Sequence, residues 1–388
     1  MTPFVFNTVP AIHFADGSSA EIHHRTNGRL GERILVVTDD GLLKLGLLDG
    51  ALANLREHAN VEIFSDVEAD PSRATVVKAV DAAKRIDATG ILGFGGGSSL
   101  DVAKVAALLA GSGEDLDEAW GVGNAKGPRL PLVLVPTTAG TGSEVTAVAI
   151  ITVEDDMKLG VVSPVILPDA AILDPDLTLG LPGPITAATG IDAMVHAIEA
   201  YASKSANNNP VSRTLAVEAL RLLGRNIESA VREPENREAR GAMLLGSMLA
   251  GQAFANSPVA AVHALAYPIG GIFHVPHGLS NALVLAHVLR FNAAERANGS
   301  AELYAALAPH AFPELGELGE QARCEAFIER LEGLSRDLGV PTTLREVGVK
   351  ETDLDRMARD AMKQTRLLVN NPREMHEADA RAIYEAAL

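Results

Sequence analysis

The chain has 388 residues, 47% hydrophobic and 21% charged. That balance specifies a folded protein of two or three domains and excludes a disordered chain, a collagen-like repeat or a coiled coil. Lys+Arg 33 against Asp+Glu 50 leaves a formal net charge of −17, and no basic cluster interrupts the acidic background, so nucleic acid and anionic membranes are not expected partners while small molecules are.

Cys324 is the only cysteine, so neither a disulfide framework nor a thiolate-based metal site can form, and any metal falls to His, Asp or Glu. Residues 1–15 lack a basic region followed by an apolar core, and no run reaches the ~18 apolar residues of a membrane span. The expected location is cytoplasmic.

In chain order, β-branched runs at 33–38, 61–64, 89–94, 131–135 and 170–173 predict buried strands of a mainly parallel sheet, with helical periodicity at 42–58, 73–84 and 100–109 between them. This alternation predicts a doubly wound, Rossmann-like α/β domain over 1–182. After Leu181-Pro-Gly-Pro184 strand-like alternation stops, and 183–388 reads as all-helical. Pro184 fits the first turn of a helix running through Tyr201. The stretches 207–210, 232–235 and 309–316 read as surface connections.

Four features carry chemistry. Asp39 ends the strand 33–38, where a carboxylate can accept from a ribose 2′-OH and repel a 2′-phosphate; a loop or capping carboxylate is the plainer alternative. Gly93-Phe-Gly-Gly-Gly-Ser-Ser99 lies between a strand and a helix, so Gly96, Gly97 and Ser98 can bring backbone N–H groups to a pyrophosphate. Ser98 stands at the last glycine of the G-x-G-x-x-G pattern, so a ligand-free glycine-rich turn stays open. The run 136–146 offers Thr137, Thr138, Thr141 and Ser143, hydroxyls that suit a phosphate or ribose, or merely cap a turn. Asp192 and His196, four apart, share one helix face. His263 and His277 lie near the two ends of 262–278, which reads as a helix end, a Gly-Gly loop at Gly270-Gly271 and the next helix start. Three imidazoles and a carboxylate suit Fe(II), Zn(II) or a similar divalent ion.

These blocks in this order resemble the iron-containing (group III) alcohol dehydrogenases: Gly95-Gly-Gly-Ser98 with Asp101 and Lys104, Pro136 through Glu144, Leu173-Asp-Pro175 with Thr178, Gly190-Ile-Asp-Ala193 through Tyr201, and His263 through His277-Gly278. The resemblance implies a dehydroquinate synthase-like architecture with Asp192, His196, His263 and His277 as metal ligands, Fe(II) first and Zn(II) or another divalent metal after it. It implies an NAD site lined by Asp39, Gly96, Gly97, Ser98, Thr137, Thr138, Thr141, Lys158, Leu177, Thr178 and Leu179, and Phe254 beside the substrate. The implied enzyme is an NAD-dependent alcohol dehydrogenase passing hydride between NAD(H) and a small primary alcohol or aldehyde, as a homodimer or higher homo-oligomer. A polyol, hydroxyacid or maleylacetate-type oxidoreductase of the same superfamily is the close alternative, and a catalytically silent binding protein on the same fold the distant one.

The chain departs from the family pattern twice. Tyr267 stands where many members carry a histidine to which a proton relay is assigned, and Asp70 precedes Pro71 where Asn is commoner. A phenol is a poorer base than imidazole at neutral pH, which makes His274 the expected substitute relay.

Overall fold

The computed structural model describes residues 3–153 and 157–388. The chain divides into two compact units, 7–179 and 180–388, the second joined by the N-terminal residues up to Phe6. Val5 fixes that N-terminal segment, its N–H donating to Asn207 Oδ1 and its carbonyl accepting from Asn207 Nδ2, both at 2.9 Å.

The first unit holds β1 (Ala11–Phe14), β2 (Arg33–Val37), β3 (Asn60–Phe64), β4 (Gly90–Gly95), β5 (Gly121–Val122), β6 (Leu132–Pro136), β7 (Val148–Thr152), β8 (Lys158–Val162) and β9 (Ala170–Leu173). Six of these form one sheet, ordered β1-β9-β6-β4-β2-β3, with every pairing parallel. Successive residues enter opposite faces. Leu35, Val37, Ile91, Leu132 and Leu134 join one core with the helices Arg73–Arg85 and Gly97–Ser112. Ile34, Val36, Leu92, Phe94, Val133 and Val135 join another with the helix Asp49–Arg56. Helices on both faces are what a doubly wound sheet needs, and they explain why its strands read as continuous apolar runs.

Three expectations need correction. The helix expected over 42–58 is two, Asp40–Lys44 and Asp49–Arg56, because Gly46 turns the chain at φ 72. A small second sheet, β5-β8-β7, was not foreseen. Nor was the edge strand β1, which pairs only with β9 and whose residues reach no more than intermediate burial.

Among the described residues every strand precedes 174, and the second unit is helical. At its centre lies the helix Gly183–Ala202, with Pro184 in the first turn and nearly every side chain from Thr186 onward buried. It packs against the helices Pro210–Arg232, Arg237–Asn256 and His277–Ala294. A Cβ on Gly190 would come within 2.6 Å of Met243 Cε, so glycine sets how closely the neighbouring helices approach. No helix of the described residues is long and apolar enough to cross a membrane.

Candidate metal centre and dinucleotide site

In the α/β unit, β2 leads outward to β3 while β4 lies on its other side, so the chain reverses direction between the carboxyl ends of β2 and β4. Ligands of open α/β sheets bind at such a point. The glycine loop follows β4 and Asp39 follows β2, so these two candidates flank the crevice from neighbouring strands.

Two glycines of the loop have no substitute. Gly95 adopts φ 150, and a Cβ there would meet Ser99 at 2.8 Å; a Cβ on Gly97 would meet Thr141 at the same distance. Gly96 caps the helix Gly97–Ser112 without a side chain, and Gly96, Gly97 and Ser98 are half-buried, which leaves first-turn N–H groups suited to an anion. Thr137, buried, and Thr138, half-buried, follow β6, the strand next to β4. Asp39 is half-buried and also caps the helix after it, accepting from Leu42 N–H at 3.0 Å.

The hydroxyl-rich run is held in place from beneath. Lys104 is fully buried and donates to Ser143 Oγ at 2.8 Å, Thr146 Oγ1 at 3.1 Å and Val148 O at 2.7 Å. Asp101, one turn earlier, accepts from Ser143 Oγ and from Ile150 N–H. Burial lowers the Lys104 pKa against the pull of Asp101 and Glu144, and burial pushes the Glu144 carboxyl up to about 7. Leu177 and Thr178 are buried and Leu179 half-buried in and after a 3-10 turn following β9, where Thr178 Oγ1 donates to Pro175 O at 2.8 Å. Lys158, on β8, is bound by the Asp70 carboxylate.

The helical unit brings the four expected ligands together. One ligand atom each from Asp192, His196, His263 and His277 fall within 4.8 Å of one another. Asp192 and His196 come from the central helix, His263 from the first turn of the helix Ala261–Phe273, and His277 from the first residue of His277–Ala294. The sequence reading had placed His263 at a helix end and a loop at Gly270-Gly271. Both glycines are instead helical. At Gly278 a Cβ would lie 2.3 Å from Ala188 O and 3.1 Å from Asp192 Cβ, so glycine there lets the start of the His277 helix approach Asp192.

His263 Nε2 and His277 Nε2 stand 3.9 and 3.8 Å from Asp192 Oδ1. Asp192, His196 and His263 are buried, whereas the His277 side chain is 35% exposed, so the cluster opens toward solvent on that side. Phe254 stacks on His196 with ring centroids 4.4 Å apart, and His196 on His263 at 4.7 Å. Tyr267 is half-buried, its ring 6.1 Å from that of His277. His274 is exposed in a left-handed turn, φ 55, at the end of the His263 helix, and makes none of these ring contacts.

Two residues the sequence reading passed over complete the cluster. Asn281 Nδ2 donates to Asp192 Oδ1 at 2.6 Å and lies 3.3 Å from His277 Nε2. Glu199 Oε2 lies 2.7 Å from His263 Nδ1. The signal for Glu199 was its place at i+7 from Asp192 and i+3 from His196, on the ligand-bearing helix face.

The donor set fits a divalent ion. It offers three imidazoles and one carboxylate, and His263 Nε2 is a buried nitrogen with no hydrogen-bond partner among the described residues, aimed into the cluster.

Comparison with known proteins agrees with this geometry. Family models described as iron-containing alcohol dehydrogenase and as the C-terminal part of the Fe-containing alcohol dehydrogenase family match residues 10–175 and 186–388. A long-chain-alcohol dehydrogenase of Geobacillus thermodenitrificans is 43% identical, covering 92% of this chain and 90% of its own. A 1,3-propanediol oxidoreductase structure superposes with a TM-score of 0.94 at 37% identity over the whole of both chains. A sulfoacetaldehyde reductase of Bifidobacterium kashiwanohense, solved with NAD+, gives 0.87 at 26% over all of this chain and 99% of that one. The chain belongs to the iron-containing alcohol dehydrogenase family. Its activity is NAD-dependent alcohol oxidoreduction.

Proposed function

We propose that the enzyme interconverts small primary alcohols and aldehydes with NAD(H), and that Asp192, His196, His263 and His277 hold its metal, Fe(II) first and Zn(II) or another divalent ion after it. The observation that carries this reading is the convergence of four ligand atoms from three helices, three of the residues buried and the fourth partly open. A divalent ion held by these four residues would supply Lewis-acid polarisation of the substrate oxygen, and bound NAD would supply the hydride acceptor.

The remaining work falls to the protein. Phe254, stacked on His196, keeps one side of the cluster apolar and limits water beside the reacting carbon. The partly exposed edge at His277 is where substrate enters. Tyr267 borders that edge, and the exposed His274 is assigned the exchange of the alcohol proton with solvent. In the α/β domain, assigned to residues 1–182, of which the segment up to Phe6 and residues 180–182 group with the helical unit, the first-turn N–H groups after Gly96 and Gly97, with Ser98, bind the pyrophosphate. Thr137, Thr138, Thr141, Lys158 and Leu177 to Leu179 line the rest of the dinucleotide site, and Asp39 selects a free 2′-OH. Residues 183–388 form the metal-binding domain. The lone cysteine fits the reducing cytoplasm, and a homodimer or higher homo-oligomer completes the reading, which light scattering tests.

Anaerobically purified protein with iron should reduce NAD+ when given primary alcohols, followed by nicotinamide absorbance. No reduction across a chain-length series, with metal bound, would overturn the assignment.

A further inference from the structure

Glu199 is 5% exposed and spends both carboxylate oxygens on the start of the His263 helix. Oε1 accepts from Val262 N–H at 2.7 Å. Oε2 accepts from Ala260 N–H at 3.0 Å and lies 2.7 Å from His263 Nδ1. An ionised carboxylate has no proton to donate, so the imidazole facing it brings its own proton to Nδ1, and the lone pair is then left on Nε2. Nε2 is the atom without a hydrogen-bond partner among the described residues, 3.9 Å from Asp192 Oδ1.

We infer that Glu199 is a positioning residue for the metal centre, which fixes the tautomer and the ring plane of His263 so that the Nε2 lone pair is presented to the ion. This rests on the four-ligand reading and deepens it. Glu199 follows Asp192 by seven residues and His196 by three, so one helix supplies two ligands directly and controls a third on another helix. The carboxylate fixes backbone and ring together. Ala260, at φ −136 and ψ −131, is neither helical nor regular strand, and Glu199 holds its N–H while orienting the imidazole three residues on. A carboxylate behind a ligating imidazole sharpens ligand direction, and loss of such a partner typically weakens metal binding by about 10- to 100-fold.

The test separates this role from helix capping alone and from failure of the four-ligand reading. Zn(II) affinity is measured by chelator competition for wild type, Glu199→Gln, Glu199→Leu and His263→Ala, and for each Glu199 variant combined with His263→Ala, with circular dichroism confirming the fold. The Glu199 variants should bind Zn(II) about 10- to 100-fold more weakly than wild type, and show no further loss once His263 is absent. Wild-type affinity in both variants, or an equal loss in the His263→Ala background, overturns the positioning role. Wild-type affinity in His263→Ala itself overturns the four-ligand reading instead. A further measurement needs no variant: in metal-free wild type labelled with 15N-histidine, long-range nitrogen–proton spectra should show His263 protonated on Nδ1, and an Nε2–H tautomer would overturn the inference even if the Leu variant fails to fold.

Discussion

Lys104 Nζ sits 2.8 Å from Ser143 Oγ, joining the helix that opens on the glycine loop to the hydroxyl-rich loop after β6. The lysine is fully buried, and among the described residues its charge is offset by Asp101, Glu144 and three oxygens. Replacing it leaves the Asp101 carboxylate without its partner cation, and breaking a buried pair from one side costs about 3–5 kcal/mol. Lys104→Met should therefore lower stability by an amount of that order and raise KM for NAD+, with bound metal unchanged. Denaturant melts, cofactor titration and metal analysis check all three.

Glu144 gives a pH signature. Burial raises its carboxyl from 4.5 to about 7 in the folded chain. Between those values the folded state binds more protons than the unfolded one, so this group's contribution is present below pH 4.5 and is lost as pH rises to about 7. Glu144→Gln has no such loss. The stability difference, variant minus wild type, should move in the variant's favour by on the order of 3 kcal/mol between pH 4 and pH 8. A flat difference would mean that the Glu144 carboxyl binds protons equally in the folded and unfolded chains, so that burial does not raise it.

Asp39 has two duties that substitutions can separate. Asp39→Asn keeps an oxygen to accept the Leu42 N–H but removes the charge, whereas Asp39→Gly removes both. Both should raise kcat/KM for NADP+ relative to NAD+, on the order of tenfold or more, because a carboxylate facing a 2′-phosphate costs several kcal/mol. An unchanged ratio in both variants would move cofactor selection elsewhere.

The proton route is tested on Tyr267, whose ring lies 6.1 Å from that of His277, and on the exposed His274. His274→Ala should reduce kcat for alcohol oxidation by about tenfold or more, leave metal content intact, and regain part of the loss when combined with Tyr267→His, which restores an imidazole beside His277. An unaltered kcat would remove His274 from the route.

The central strands were legible because burial on both faces gives continuous apolar runs such as Ile34 to Val37 and Leu132 to Val135. β1 was not, since Ala11 to Phe14 is a half-buried edge without that pattern, and the split at Gly46 hid because glycine within a helical pattern is ambiguous: Gly46 turns the chain, while Gly50 is helical. Within the site, Asp192 and His196 announced themselves through helical spacing. Glu199 did not: its partner His263 is 64 residues away, and only the packed helices show which carboxylate faces which ring. Asn281 escaped for the same reason, being 89 residues from the Asp192 oxygen it binds.

The most direct test of the whole account is the metal content and turnover of His277→Ala, purified anaerobically beside wild type. His277 is the partly exposed member of the cluster, so its loss should leave the melting curve close to that of metal-free wild type while removing a ligand. The account predicts that stoichiometric iron and NAD-linked alcohol oxidation disappear together. A variant that keeps full metal and full turnover would contradict it.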